Sequence, residues 1–283
     1  MYNMTIMEID RKPMRTIEPR SHLSILSTIY EIWQFRELLI LLAWRDYKVR
    51  YRQTVIGILW AILQPLLAMV VFVFIFGRFP GIKEAGIPYA LFVYSGIIIW
   101  QFFSNAISES SISLVVNSQM ITKIYFPRII IPFAKVITQF INLFFSGIVL
   151  AGLMLYFHVL PSLAIILYSI PILLLLLLSS SSIGIILSAI NVKYRDVQHV
   201  LPYFIQLGLF ASPVIYSATS LGQYHWLIYL NPVTGIIDTF RAALFSLPFP
   251  TASFIVSSTI TLILLIFGLY YFSKAEGDFS DVI

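Results

Sequence analysis

The sequence predicts an all-α polytopic membrane protein. It has six transmembrane helices, an N-terminal amphipathic interface helix and an outer re-entrant hairpin between spans 5 and 6. Three observations carry this reading. Of 283 residues, 59% are apolar and only 11% are charged, against roughly 25% charged in a soluble domain. Mean hydropathy is +0.90. The charges also fall between long uncharged stretches. A soluble core of this length would lack the polar surface to cover it. This excludes a soluble globular enzyme, a disordered chain and a DNA-binding domain, so no nucleic-acid partner is expected despite a net charge of +5.

The elements follow in chain order. Residues 1–24 are polar, hold Arg11, Lys12, Arg15 and Arg20, and read as a tail without a signal peptide. In 25–52, Ile25, Leu26, Ile29, Ile32 and Trp33 recur at helical spacing. Leu38–Trp44 is apolar between Arg36–Glu37 and the charges Arg45, Asp46, Lys48, Arg50 and Arg52. That run is too short to cross, so an amphipathic helix lying in the interface is expected. It is either a plain juxtamembrane anchor or a surface gripped by a partner.

The six crossings occupy 53–272. Gln53–Gly77 and Ala85–Ser108 carry no Asp, Glu, Lys or Arg over 25 and 24 residues, about the length one crossing needs. Val136–Val192 is uncharged over 57 residues and broken at His158 and Pro161, which makes two crossings, roughly 136–157 and 163–190. Val197–Ile237 holds one, roughly 198–218, and Ala242–Ser273 holds the last, roughly 252–272. Residues 273–283 form a second tail, and 1–283 read as a single transmembrane domain.

Six crossings place both termini on one side. Of the 18 Lys and Arg, all but Arg78, Lys83 and Arg241 fall on that side. By the positive-inside rule both termini are cytoplasmic.

Local features refine the picture. Gln64–Pro65 interrupts the first span and is expected to kink it. Ser180, Gly184 and Ser188 recur at four-residue spacing, a close-packing face rather than a site. The 109–135 connection is long for a turn. Ile112–Ile121 fits a short helix across the membrane face, ended by Pro127 and restarted at Pro132. It is either an ordinary interfacial loop or a dock for a soluble motor. On the outer side, Asn231 is placed to cap a helix with Pro232 at its first position. Asp238 and Arg241 follow on one face, favouring a structural ion pair over substrate contact.

The missing chemistry also narrows the function. No GxxxxGK[ST] phosphate loop is present, so ATP would be bound elsewhere. There is no HExxH, no GxSxG and no cysteine, and His22, His158, His199 and His225 are scattered. No catalytic residue, metal site or cofactor is expected on this chain. Acids inside the spans are nearly absent, with Glu109 and Asp238 at edges, which argues against an ion-driven carrier. A channel, a scaffold or a translocation subunit powered by another chain remains.

Several segments resemble type-2 ABC exporter permeases, and more narrowly the membrane subunits that export lipid-linked O-antigen, capsule and teichoic acid. RDYKVRYRQTVIGILWAILQPLL, from Arg45, is similar to their approach to the first span, at Arg50, Tyr51, Arg52, Gly57, Trp60 and Pro65. KIYFPRIIIP (Lys123–Pro132) resembles their coupling segment. NVKYRD (Asn191–Asp196) resembles their fourth-to-fifth connection, with Arg195–Asp196 as its signature. SPVIY (Ser212–Tyr216) and Asn231–Pro232 are similar to their fifth span and outer hairpin.

The resemblance implies a homodimer with two separate ABC ATPase subunits, which would hold ATP and Mg, in a bacterial inner (plasma) membrane. It implies an interface helix around Arg45, Arg50 and Arg52. ATPase coupling would fall on Ile121, Lys123, Phe126, Pro127 and Arg128. An outer gate would be built on Asn231, Pro232, Asp238 and Arg241. Arg195–Asp196 is expected to pair and hold its turn. The spans that line the family's channel carry Trp60, Tyr94, Trp100, Phe102, Phe103, Phe204, Phe210 and Tyr216. These aromatics are either interfacial and packing residues or the wall of a glycan path. A permease for a drug or small lipid, and a non-transport scaffold, stay as rival functions.

Overall fold

The computed structural model describes residues 25–52, 57, 59–78, 86–277 and 279. The expected tail 1–24 and the start of the first span lie outside the described residues. Among the described residues every regular element is helical. They are α1 Ile25–Gln34, α2 Arg36–Arg52, α3 Leu59–Phe76, α4 Tyr89–Val116, α5 Ser118–Lys123, α6 Ile130–Tyr156, α7 Ala164–Lys193, α8 Val197–Phe210, a 3-10 turn Ala218–Tyr224, α9 His225–Tyr229, α10 Pro232–Phe245 and α11 Thr251–Glu276. Five of these, α3, α4, α6, α7 and α11, are long and apolar enough to cross a membrane.

α4 is the centre of the bundle. Of its most apolar stretch 83% is buried, against 11% for α3. It packs on α7 and α6 along its length, and on α3, α8 and α10. Lipid tails are as apolar as leucine, so these helices gain little by burying leucine against one another. Close approach of backbones and satisfied polar groups hold them instead. The contacts reflect this. A Cβ on Gly184 would come within 2.8 Å of Ser110 on α4, and one on Gly268 of α11 within 3.0 Å of the Ser182 carbonyl on α7. The stripe Ser180, Gly184, Ser188 is buried, as its spacing predicts. Ser179, Ser182 and Ser188 donate to carbonyls three residues earlier, so their hydroxyls enter the bundle already paired.

The N-terminal 25–52 segment is two helices, with Phe35 between them, rather than one. α2 lies along α6, burying Leu39, Leu42 and Ala43 against Ile130 and Ala134. Its far face exposes Ile40, Leu41 and Trp44. Asp46 ties the two helices electrostatically, with Arg45 at 2.8 Å and Lys135 at 2.6 Å.

The expected crossing at 198–218 is not one continuous helix. α8 stops at Phe210 after 14 residues, about 21 Å at 1.5 Å per residue, short of the ~30 Å core. Pro213 supplies no backbone donor and disfavours helical geometry at Ser212. From Ala211 the chain turns, and Ser212–Ile215 run buried through the bundle. Arg195 and Asp196, expected to pair, are both exposed, and no ion pair links them. The link that holds this connection is Asn191, whose buried amide donates to the Ser111 carbonyl of α4 at 3.0 Å.

Gly235 of α10 tests the close-packing argument. A Cβ there would lie 2.4 Å from the Ser253 carbonyl and 2.5 Å from Ser257 Oγ. Gly235→Ala is expected to lower stability by about 1–3 kcal/mol, read as an earlier thermal transition in detergent. Gly147→Ala, which meets nothing within 4 Å, should leave that transition in place.

Candidate functional site

Three helices present polar stripes to one another. On α4, Ile98, Gln101, Phe102, Asn105 and Glu109 follow the three-and-four spacing of one helix face. α3 contributes Trp60, Ala61 and Gln64; α6 contributes Asn142, Leu143 and Ser146; Arg50 of α2 and Gly57 complete the wall. Together they enclose a groove of about 610 Å³, within the 300–1,000 Å³ of small-ligand pockets. From Ile98 to Glu109 it runs about 16 Å along α4.

One end of the groove carries its charges. Arg50 Nη2 pairs with Glu109 Oε1, each side chain about a quarter exposed, and Arg50 Nη1 reaches Gln139 Oε1 at 3.5 Å. Asn142 donates to the same Gln139 oxygen at 2.8 Å. The side-chain amides of Gln64, Gln101 and Asn105 form no hydrogen bond with any described residue. Charge-free stretches mark spans well but pass over amides, so sequence reasoning missed Gln101, Asn105 and Asn142 and took Gln64 only as part of a kink.

At the opposite end of the bundle, Arg241 of α10 is 3% exposed. Its guanidinium donates to the carbonyls of Pro213, Val214 (2.7 Å) and Phe92 (3.0 Å) and stacks on the Phe92 ring at 3.5 Å. Arg241 was expected to face Asp238 on the same helix; its guanidinium also binds these main-chain oxygens of other segments. Gly96 gives the guanidinium room, since a Cβ there would lie 2.8 Å from Nη2. Tyr89 Oη donates to the Ile215 carbonyl at 2.9 Å, and Asn231 Nδ2 donates to Ser212 Oγ at 2.7 Å. Asn231 also caps α10 by accepting from Val233 N at 3.1 Å, with Pro232 at the first helical position. On the neighbouring α9, burial and the Asp238 carboxylate raise the Tyr229 phenol above its ordinary value.

The 118–128 loop divides its residues differently from expectation. Ile121 and Phe126 are buried, packed with Leu114, Val192, Phe272 and Phe279. Ile124 and Tyr125 stand out, about two-thirds exposed, beside exposed Lys123. Pro127 is half-buried. Arg128 is held by the C-terminal segment: its Nη1 donates to the Glu276 carbonyl at 2.6 Å, its N–H to Glu276 Oε1 at 3.3 Å, and it lies 5.9 Å from the Phe279 ring centre.

The aromatics separate into two groups. Tyr94, Trp100, Phe102 and Phe103 are buried within the chain. Tyr94 donates to the Ser146 carbonyl at 3.2 Å, Phe102 meets Phe140 edge-on at 4.7 Å, and Trp100 fits against Gly208, where a Cβ would lie 2.7 Å from its ring. These four do packing work, although Phe102 also reaches the groove. Trp60, Phe204 and Phe210 are at least half exposed. Tyr216 is half-buried and donates to the Phe210 carbonyl at 3.0 Å.

With this geometry in hand, known proteins supply a comparison. The family model described as ABC-2 type transporter matches residues 37–245. The chain is 30% identical over 258 residues to an O-antigen export system permease protein RfbA of Klebsiella pneumoniae, covering 90% of this chain and 98% of that protein. It is 26% identical over 264 residues to the Myxococcus xanthus protein of the same name, covering 92% and 100%. It is 24% identical over 209 residues to the polysialic acid transport protein KpsM of Escherichia coli, covering 70% and 78%.

Arg241→Leu is expected to be among the most destabilising changes. It leaves the Pro213 and Val214 carbonyls inside the bundle short of a donor, at about 1–3 kcal/mol each. Arg241→Lys should recover only part, because an ammonium cannot fork to three oxygens and stack on a ring. Size-exclusion thermal melts of the three proteins should rank wild type, Lys, Leu.

Proposed function

The chain belongs to the ABC-2 type transporter family, and on that premise we propose that it is the membrane-spanning subunit of an ATP-driven exporter of a cell-surface polysaccharide. One observation carries the reading: the O-antigen export permeases align with about nine-tenths of this chain and nearly all of their own length. The chain moves its glycan, linked to a lipid carrier, across a bacterial inner membrane. It works as a homodimer with two ATPase subunits, which hold ATP and Mg.

The six-crossing topology with cytoplasmic termini rests on the distribution of Lys and Arg. In it α8 and the buried Ser212–Ile215 turn together make the fifth crossing, and α9 and α10 form the outer re-entrant hairpin. Irregular backbone at that depth is tolerated only where protein covers it, and here it is buried. The α10 hairpin, anchored by Arg241, acts as the outer gate. The glycan path runs along the exposed aromatic faces of α3 and α8, at Trp60, Phe204, Phe210 and Tyr216. A sliding polymer needs many weak contacts, and aromatic faces supply them against the C–H face of a sugar ring.

ATPase coupling passes through the exposed part of the 118–128 loop. Ile124→Asp and Tyr125→Asp should leave the permease folded and ATP hydrolysis running while surface glycan falls at least about tenfold. Phe126→Asp should instead deplete the folded permease, since it places a carboxylate among Phe272, Phe279 and Leu114.

Deleting the chain should abolish surface glycan and leave lipid-linked glycan on the cytoplasmic side, measured by surface labelling against total extracted glycan. Undiminished surface glycan in the deletion strain would overturn the export reading.

A further inference from the structure

The groove between α3, α4 and α6 has a composition that packing does not explain. Gln101 and Asn105 sit one turn apart on α4, and Gln64 faces them from α3. Their amides form no hydrogen bond with any described residue, whereas Tyr94, Asn191 and most serines of the same bundle find carbonyls. A primary amide unpaired in hydrocarbon costs several kcal/mol. Gln101 and Asn105 are half-buried and Gln64 is exposed, and all three line one groove, where a polar occupant would satisfy them.

The donor set narrows what that occupant is. Each amide offers an acceptor oxygen beside donor N–H groups, the match for a hydroxyl that both donates and accepts. The charges at the groove's end, Arg50 and Glu109, are paired with each other, so the wall presents no uncompensated charge to an ion. Trp60, half exposed at the groove's rim, supplies a flat apolar face. A lipid tail has no use for the amides, and a free anion has none for the indole. A sugar ring uses both.

We propose that this groove is a saccharide-binding subsite, in which Gln64, Gln101 and Asn105 hydrogen-bond the hydroxyls of a sugar unit while the Trp60 face packs on its ring. The inference rests on the polysaccharide-export reading and adds where on the chain the sugar is held. The subsite reads neutral hydroxyl patterns and holds each unit only weakly, because three net hydrogen bonds contribute little beyond the water they displace.

The test uses the full permease with its ATPase in lipid nanodiscs. The probe is the cells' own surface glycan, released from its lipid by mild acid. Trp60 fluorescence, isolated by difference against Trp60→Phe, should be quenched saturably. Gln101→Leu combined with Asn105→Leu should weaken the apparent affinity at least about tenfold and reduce surface glycan in cells. Gln101→Asn with Asn105→Gln, which keeps the amides, should retain more of both. Gln64→Leu on the exposed face of α3 repeats the binding measurement should the double variant fail to reach the membrane. Absence of quenching in the wild type, or quenching as strong in the leucine variants, overturns the subsite. Cells whose wild-type permease puts no glycan on the surface would overturn the export reading itself.

Discussion

A backbone carbonyl at membrane depth must find a donor inside the protein, and around Pro213 and Val214 it is the Arg241 guanidinium, not a helix ladder, that supplies it. The chain leaves helical geometry after Phe210 and before Pro213, so no helical N–H four residues on reaches the carbonyls of Pro213 and Val214. Arg241 answers both, adds the Phe92 carbonyl, and spreads its charge over the Phe92 ring. A guanidinium suits this task because it is planar, weakly hydrated and always charged. Its placement determines much else. α10 must enter the bundle deeply enough to deliver it, Asn231 must start α10 beside Ser212, and residue 96 must lack a side chain.

The same rule separates structural polarity from functional polarity. Buried Ser179, Ser182 and Thr239 bond back to their own helices, so they fill space without demanding a partner elsewhere. Tyr94 and Asn191 cross between helices to carbonyls. The groove amides do neither. In a soluble protein water would make such side chains unremarkable; within a bundle of membrane helices three of them on one groove are a departure from that pattern.

Much of this was legible in the sequence, for physical reasons. Lys and Arg mark where spans end, because burying them is expensive. Asn231–Pro232 marks a helix start, because an Asx cap and a fixed proline φ serve that position. The shortening of α8 was hidden, because Ser212–Pro213 lies inside an apolar run whose composition suits a crossing. The inward turn of Ile121 and Phe126 was hidden too. Their partners Phe272 and Phe279 are about 150 residues away, and a loop's hydrophobic residues do not reveal whether they face a motor or the chain's own C-terminal segment. Likewise, Tyr94, Trp100 and Trp60 are all aromatics in spans; only the neighbours of each, Ser146 for Tyr94, Gly208 for Trp100 and open groove for Trp60, divide packing residues from wall.

α4 connects these sites as one rigid body. Its 28 residues extend about 42 Å. At one end Asn117 closes α4 and opens α5, accepts from Arg45 at 3.0 Å and donates to the Ser113 carbonyl at 2.8 Å. Midway, Gln101, Asn105 and Glu109 form a groove wall, and the ring of Trp100 bears on Gly208 of α8. At the far end Phe92 lies beneath Arg241, and Tyr89 holds Ile215. A helix so fully packed is displaced as a unit more readily than it is bent, because bending breaks contacts along its whole length. Force applied at the 118–128 loop therefore reaches the groove and the Arg241 anchor through a single element. A relay of side chains would have to rearrange one by one between them. The groove wall and the Phe92 ring beneath Arg241 both belong to α4, so one displacement of that helix would carry both.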